Sequence, residues 1–221
     1  TSLGSSCLKY MKLLKGPLLE RGFDVAVFHA TGMGGMAFEA LARQDKFAAV
    51  MDFSLQELSN LVGGSVVHSG ADRLTGAGAA GIPQLVAAGC ADLIDFAGWQ
   101  DIPAQYEGRP LHEHNRLIKS AVLSAQERRE VVQAMAERLS TAKGPVHVLM
   151  PTQGIEEWDR EGEPMYDPQA LAAMVDEMGK AVKAPAKLTM LDCHINDQAF
   201  ADAALEVLDG WIADGSVKRQ L

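Results

Sequence analysis

Short apolar runs alternate with amphipathic helical patterns along this 221-residue chain, and that alternation is the strongest constraint on its fold. The runs are continuously apolar, as in parallel strands that helices cover on both faces. We predict five strands, at Asp24–Phe28, Ala48–Asp52, Gln84–Ala88, Val146–Met150 and Lys187–Leu191. Right-handed βαβ units then give a mostly parallel, doubly wound, Rossmann-like α/β sheet with helices on both faces.

Capping residues mark the starts of the predicted helices. We predict N-caps at Ser5 or Ser6, Ser124, Asp167 and Asn196. Ser124 and Glu127 have the spacing of a capping box, and Asp167 precedes a proline at the first helical position. Two polar, aperiodic segments, Phe96–Lys119 and Gly154–Tyr166, are predicted as long loops, and loops of this length in a compact domain are often functional.

The composition excludes several classes of protein. The net charge is −9 and the 20 basic residues are scattered, so we expect no nucleic-acid partner. No apolar run is long enough to cross a bilayer, so we expect no membrane partner. The three cysteines Cys7, Cys90 and Cys193 are odd in number and widely spaced, which favours burial as free thiols and a cytoplasmic location.

We predict one α/β domain over residues 1–221. The chain opens with TSLGSSCLKYMKLL, so a helix begins almost at once, where an α/β pattern usually has a strand first. One interpretation is that the chain is the C-terminal half of a longer two-domain protein. A frayed or engineered N-terminus is the alternative.

The turn HATGMGGMAFE follows the first predicted strand. Gly32, Gly34 and Ala37 fit the pattern G-x-G-x-x-A, and Asp52 lies where a dinucleotide site has its ribose-binding carboxylate. Glycine amides at a helix N-terminus favour an anion such as phosphate or carboxylate. A tight strand-to-helix turn that needs glycine only for its backbone geometry is the alternative.

Polar residues also follow the last predicted strand, in the sequence LDCHINDQAF. The carboxyl ends of parallel strands meet at one edge of a sheet, so His194 is expected near His29. A histidine beside a carboxylate such as Asp197 can act as a general base. The alternative is that Asn196 and Asp197 serve the helix start and His194 bonds a loop carbonyl.

The sequence LHEHN contains two histidines two residues apart. In an extended segment His112 and His114 point the same way, so they could share a phosphate or a metal. No third ligand accompanies them, so we predict no metal site, and a solvated loop is the alternative. Arg73 could hold a carboxylate or phosphate, or pair with Asp72 on the surface.

These motifs together resemble a known family. FHATGMGGMAFEAL, SGADRLTGAGAAGIPQLVAAGCAD, LHEHN and DCHINDQAFADA are similar to the C-terminal half of the uncharacterised two-domain family that includes the plant tomato-mosaic-virus resistance protein. The resemblance implies two Rossmann-like domains with a cleft between them, and oligomers. The family's ATP-binding label belongs mainly to the first domain, so any ATP cofactor would be held there. The positions that match the family pattern are His29, Thr31, Gly32, Gly34, Gly35, Asp72, Arg73, His114, Asn115, His194, Asn196 and Asp197.

Our leading hypothesis is a domain that binds a small anion facing its own N-terminal domain. Acid–base chemistry is the natural class of reaction if the protein is an enzyme, with His29, His194 and Asp197 as the catalytic candidates. The candidates for holding the ligand are Thr31, Gly32, Gly34, Gly35, Arg73, His114, Asn115 and Asn196. A homo-oligomerisation module, built on the small residues of TGAGAAGIPQLVAAG, and an NAD- or ATP-binding domain are the alternatives.

Overall fold

The structure is a computed structural model that describes residues 1–4 and 8–217. Seven α-helices and seven β-strands are formed within those residues. In chain order they are α1 (Leu8–Glu20), α2 (Met33–Arg43), β1 (Val50–Ser54), α3 (Gln56–Val62), α4 (Gly76–Ala80), β2 (Gln84–Gly89), β3 (Leu93–Ala97), β4 (Leu111–Asn115), β5 (Ile118–Val122), α5 (Ala125–Ser140), β6 (Val146–Pro151), α6 (Pro168–Ala181), β7 (Lys187–Leu191) and α7 (Gln198–Ala213). The predicted caps Ser5 and Ser6, and Cys7, lie outside the described residues.

The main sheet has the order β1-β2-β6-β7, and every neighbouring pair is parallel. In its centre, Gln84 pairs with Val50 on one side and with Val146 on the other. The predicted α/β class is therefore confirmed. The predicted bounds of β2, β6 and β7 differ from the observed ones by at most one residue, whereas β1 lies two residues further along the chain.

Helices cover the sheet on both faces, and each face has its own hydrophobic core. Along β2, Val86 and Ala88 pack into the core that α5 and α6 share. Leu85 and Ala87 point the other way, into the core with α1 and α7. This two-sided burial is the reason why the strands are continuously apolar in sequence.

The predicted loop Phe96–Lys119 is wrong over much of its length. It contributes to a second, antiparallel sheet with the order β3-β5-β4. The strand β4 is exposed on one side and half-buried on the other, so its side chains alternate between solvent and protein. The sequence shows no alternation of apolar and polar residues here, because the half-buried positions of β4 are the two histidines of LHEHN. The segment Gly154–Tyr166 forms no helix or strand, as predicted.

The predicted strand at Asp24–Phe28 is also wrong. This mostly apolar segment has no secondary structure, and the only bridge near it is a parallel one between Ser2 and His29, among the residues that the structure describes. A strand needs a ladder of hydrogen bonds to a neighbour. No described strand lies beside Asp24–Phe28 to supply one.

The capping predictions have mixed outcomes. Ser124 and Glu127 form the predicted capping box, and the Asp167 side chain accepts a hydrogen bond from the Ala170 amide. The prediction of Asn196 as a cap is wrong, since Asp197 holds the N-cap position of α7 without a side-chain cap bond.

Two further sequence predictions concern cysteines and membranes. Cys90 and Cys193 are both buried, as predicted. Within residues 1–4 and 8–217, no helix is long and apolar enough to cross a membrane.

Replacing Phe200 by alanine should destabilise the domain strongly. Phe200 is fully buried on α7 and packs edge-to-face on Phe53 with ring centroids 5.0 Å apart. We expect Phe200→Ala to lower the free energy of unfolding by about 3–5 kcal/mol, because the cavity cannot close fully. Urea unfolding measures this, and Met33→Ala on the exposed side of α2 is the control, with an expected change below about 0.5 kcal/mol. Equal losses in the two variants would contradict the assigned core.

Candidate functional site

A buried arginine forms the centre of the strand-end region. The Arg73 guanidinium is fully buried and makes a bidentate pair with Asp52 in the middle of β1. Its Nε donates to Glu57 of α3 at 2.9 Å, and its Nη1 donates to Glu39 of α2 at 3.2 Å. The Ser54 carbonyl accepts a further bond at 3.0 Å. One cation therefore joins three carboxylates from three separate elements.

The glycine turn binds an anion, and that anion is the carboxylate of Glu57. The amides of Gly32 and Gly35 donate to its Oε1 at 2.6 and 3.1 Å. A Cβ on Gly35 would lie 1.9 Å from the same carboxylate, and one on Gly34 would lie 1.8 Å from the His29 carbonyl oxygen. Gly32 has a φ of 96°, which favours glycine. Contacts within the domain thus account for all three glycines.

Burial and the charge of Arg73 shift the pKa values of the three carboxyl groups in this cluster. Burial raises the pKa of Glu39 and of Glu57, although Arg73 and backbone N–H donors act against the shift. Burial would also raise the pKa of Asp52, but the charge and hydrogen bonds of Arg73 outweigh burial and lower it. Asp52 is therefore the primary partner of Arg73.

This geometry corrects several predicted roles. Arg73 does not pair with Asp72, which instead pairs with Arg43 at the surface. The Arg73 guanidinium and the glycine amides bond to protein carboxylates, so they do not present donors to an external anion. Asp52 is buried against Arg73 and does not face a ribose.

His194 organises the loop after β6. Its ring is fully buried, and its Nδ1 accepts from the Asn196 amide at 3.0 Å. The ring hydrogen is therefore on Nε2, which lies 2.8 Å from the Glu156 carbonyl oxygen and 3.0 Å from Oδ1 of Asp159. Both ring nitrogens are used inside the protein, so His194 positions the loop rather than exchanging protons with a ligand.

The other residues of DCHIND tie the same loop to α7. Asp197 accepts from the His194 amide at 3.0 Å and from Arg160 at 2.8 Å. The Asn196 side-chain amide donates to Glu157 at 3.1 Å. These contacts fix the segment 156–160 from both ends, and Trp158 lies in its middle.

Three aromatic rings meet above this loop. His112 stacks on Trp158 with ring centroids 3.8 Å apart and planes inclined by 28°. The His114 ring lies 4.6 Å from that of His112 and 5.2 Å from that of Trp158. We call His29, His112, His114 and Trp158 the histidine–tryptophan face. The predicted common direction of His112 and His114 is confirmed.

Burial lowers the pKa of both half-buried histidines of the face. The neighbouring His114 lowers the pKa of His112 further. The charge of exposed His29 contributes to the lowering of the pKa of His114. A neutral imidazole has one N–H donor and one acceptor nitrogen.

The remaining predicted residues do not join this face. Thr31 is half-buried, and its amide bonds back to the His29 carbonyl. Asn115 closes the turn between β4 and β5 by accepting from the Leu117 amide at 2.8 Å. The sequence predictions missed Trp158, although its place in a long loop directly after a strand was a usable signal.

No cluster of three or more metal-ligating side chains occurs within the part of the chain that the structure describes.

The fold and this face define an α/β domain with a sealed ionic centre and an aromatic, imidazole-rich face formed by β4 and the loop after β6. The chain belongs to the uncharacterised protein family UPF0261, whose C-terminal domain model matches residues 1–212. A UPF0261 protein of Brucella melitensis is 52% identical over 217 residues, which are 98% of this chain and 52% of that protein. The chain thus spans about half the length of this relative.

More distant relatives show how widely this domain occurs. A UPF0261 protein of Clostridium tetani is 32% identical over 201 residues, covering 90% of this chain and 50% of that protein. The ToMV resistance protein Tm-1(GCR237) of Solanum lycopersicum is 30% identical over 195 residues, covering 87% of this chain and 26% of that protein. The resemblance to this family is therefore confirmed.

Removing Arg73 should be far more damaging than removing an exposed arginine. Arg73→Met leaves three buried carboxylates without their cation, so we expect a loss of about 3–5 kcal/mol in the free energy of unfolding at pH 7. The pKa of Glu39 and of Glu57 then rises further above its unfolded value, and the pKa of Asp52 is no longer lowered. A carboxyl group with a raised pKa in the folded state destabilises that state as the pH rises above the unfolded-state pKa, which is near 4.5 for glutamate. The loss of free energy of unfolding caused by Arg73→Met should therefore be smaller at pH 5 than at pH 7. Denaturant unfolding at both pH values measures it.

Arg43→Met is the matched control for Arg73→Met. Arg43 pairs with Asp72 at the surface, where both side chains are partly exposed. Its removal should cost less than about 1 kcal/mol at either pH. A loss in Arg73→Met that is as small, or that does not depend on pH, would contradict the sealed ionic centre.

Replacing His194 should loosen the loop that carries Trp158. His194→Ala removes the donor to Asp159 and to the Glu156 carbonyl, and each buried group left without it costs about 1–3 kcal/mol. We expect the indole NMR signal of Trp158 to broaden or shift towards that of an exposed indole. His68→Ala, at an exposed ring, is the control and should leave this signal unchanged. An unchanged Trp158 signal in His194→Ala would contradict the positioning role.

Proposed function

We propose that this domain binds a small molecule with a phosphate or carboxylate group on the histidine–tryptophan face. The observation that carries the proposal is the meeting of His112, His114 and Trp158 at ring distances of 3.8–5.2 Å. The rings are only half-buried, so each keeps a side open to solvent. Because they come from two segments far apart in sequence, neither local secondary structure nor a sealed core accounts for their meeting.

The chemistry of the face fits an anion at this place. The charge of His29 contributes to the lowered pKa of His114, so His29 belongs to the same electrostatic environment. Trp158 lies in the loop after β6 of the parallel sheet, and the carboxyl ends of such strands are where ligands of open α/β sheets bind. The aromatic plane of Trp158 adds apolar contact area for the rest of the ligand.

The alternative of a dinucleotide site loses its two supports. Glu57 occupies the glycine amides and Arg73 occupies Asp52, so neither is open to a pyrophosphate or a ribose. ATP binding would accordingly belong to the additional part of the longer relatives, as would the second wall of the ligand site. We also propose a cytosolic location, and the number and spacing of the cysteines are the support for it.

A second candidate function is partner binding or self-association, and one surface favours it. Trp99 is 81% exposed and Leu117 is 56% exposed, and the Gly98 amide bonds to the Leu117 carbonyl. These two residues form an exposed apolar tip of the second sheet, of a kind that commonly contacts partners. The segment TGAGAAGIPQLVAAG is mostly buried inside the domain, so it does not supply an interface. Sedimentation of the wild type and of Trp99→Ser would test this candidate.

Sulfate should stabilise the domain more at pH 6 than at pH 8. Its charge is constant over this range, whereas lower pH protonates the imidazoles, whose pKa an anion raises. At about ten times its Kd, a ligand adds about 1.4 kcal/mol, or about 3–6 °C in Tm for a chain of this size. Thermal unfolding with and without sulfate, followed by phosphate, nucleotides and sugar phosphates, measures the effect.

The controls separate the face from general salt effects. His112→Gln and His114→Gln should lose most of the pH-dependent part of the shift. His147→Gln should keep it, because His147 also has a pKa lowered by burial but lies near the start of β6. An equal response in all four proteins would show a general effect of sulfate and contradict the proposal.

A further inference from the structure

A cavity of about 430 Å³ lies on the open edge of β1. It runs between β1 and the segment Asp24–Phe28. Leu14 and Leu18 of α1 line it, whereas no residue of the histidine–tryptophan face does. β1 pairs with β2 on its other side only, so the cavity borders an edge strand.

We call this cavity the slot, and its wall opposite β1 is the segment Asp24–Phe28, whose backbone forms no ladder of hydrogen bonds with a neighbouring strand among the described residues. The amides of Val25, Ala26 and Val27 donate no hydrogen bond to any residue that the structure describes. The Val27 side chain is 49% exposed. A mostly apolar segment with open backbone groups is a surface on which another strand can pair.

The first residues of the chain already pair with both walls at one end of the slot. The Ser2 amide donates to the Phe28 carbonyl at 3.0 Å, and its carbonyl accepts from Ala30 at 2.9 Å. On the other side, the Thr1 nitrogen donates to the Met51 carbonyl at 2.6 Å. This is the bonding of a strand that lies between two parallel neighbours.

We propose that the slot receives one more parallel β-strand, formed by the residues that precede Thr1 in the longer proteins of this family. A strand beside Asp24–Phe28 requires about five residues. The Brucella relative is about twice as long as this chain, and the matching family model is that of a C-terminal domain, so such a segment exists in the relatives. Its covalent link to Thr1 gives it a far higher local concentration than any separate strand.

The added strand would complete the sheet. Asp24–Phe28 becomes an edge strand, and β1 becomes an interior strand with hydrogen bonds on both sides. The cavity is then a structural slot rather than a ligand pocket. This inference is independent of the anion site, because the two involve different surfaces.

The register of Ser2 fixes which amides the new strand must bond. If the parallel ladder continues upstream from Ser2, carbonyl groups of the new strand accept hydrogen bonds from the amides of Phe28 and Ala26. The amides of Val25 and Val27 then point away from the slot. On the other wall the Met51 amide points into the slot, because the amide of its neighbour on β1 bonds towards β2. The proposal therefore predicts an alternating pattern of protection.

NMR-detected amide hydrogen exchange tests the proposal in three proteins. They are this chain, the same chain extended upstream by the residues that precede the matching region in the Brucella relative (the natural extension), and the same chain with a glycine–serine extension of equal length. The natural extension should slow exchange at Ala26, Phe28 and Met51 by at least about tenfold and leave Val25 and Val27 fast. The glycine–serine extension should leave all five amides fast, since it has little tendency to form a strand.

The contrary outcomes are equally distinct. The proposal is overturned if the natural extension slows no amide or slows all five equally. It is also overturned if the glycine–serine extension slows the same three amides. Protection in the unextended chain that grows with protein concentration would assign the slot to a second copy instead.

Discussion

The buried pairing of Arg73 with three carboxylates is the interaction on which the rest of the strand-end region depends. It joins the strand β1 through Asp52, the start of α3 through Glu57 and the helix α2 through Glu39. Three carboxylates share one cation, so the excess negative charge is held by backbone amides of the glycine turn and of the start of α4. The turn HATGMGGMAFE is thus shaped by a carboxylate that comes from its own chain.

That internal pairing explains why the sequence predicted the right chemistry and the wrong ligand. The glycine pattern is local, and glycine amides at a helix start do favour an anion, as predicted. Backbone donors do not distinguish a phosphate from a glutamate 25 residues further along the chain. The partners of Arg73 come from positions 16 to 34 residues away, and no local pattern in one sequence joins them.

In the fold too, the sequence predicts the elements that depend on short-range patterns and misses those that depend on a partner far away in the chain. The predicted strands β2, β6 and β7 and the capping box at Ser124 rest on apolar runs and on short-range spacing, and they are confirmed. The antiparallel sheet β3-β5-β4 was missed, because β4 is polar on both faces and its register depends on a partner. The strand at Asp24–Phe28 was predicted from its composition, but a strand also needs a neighbour. The spacing of His112 and His114 was informative because a period of two holds in any extended chain.

DCHIND and LHEHN act on one site, although only one of them contributes rings to it. His194 is buried and fixes the segment 156–160, so Trp158 has one position against which His112 can stack. The residue that the sequence marks most strongly as a catalyst therefore acts through packing, while the weaker motif presents the exposed imidazoles. The buried charges around Arg73 are satisfied by protein partners, as burial requires. The groups still available to a ligand are the half-exposed rings, and for that reason the functional argument rests on them.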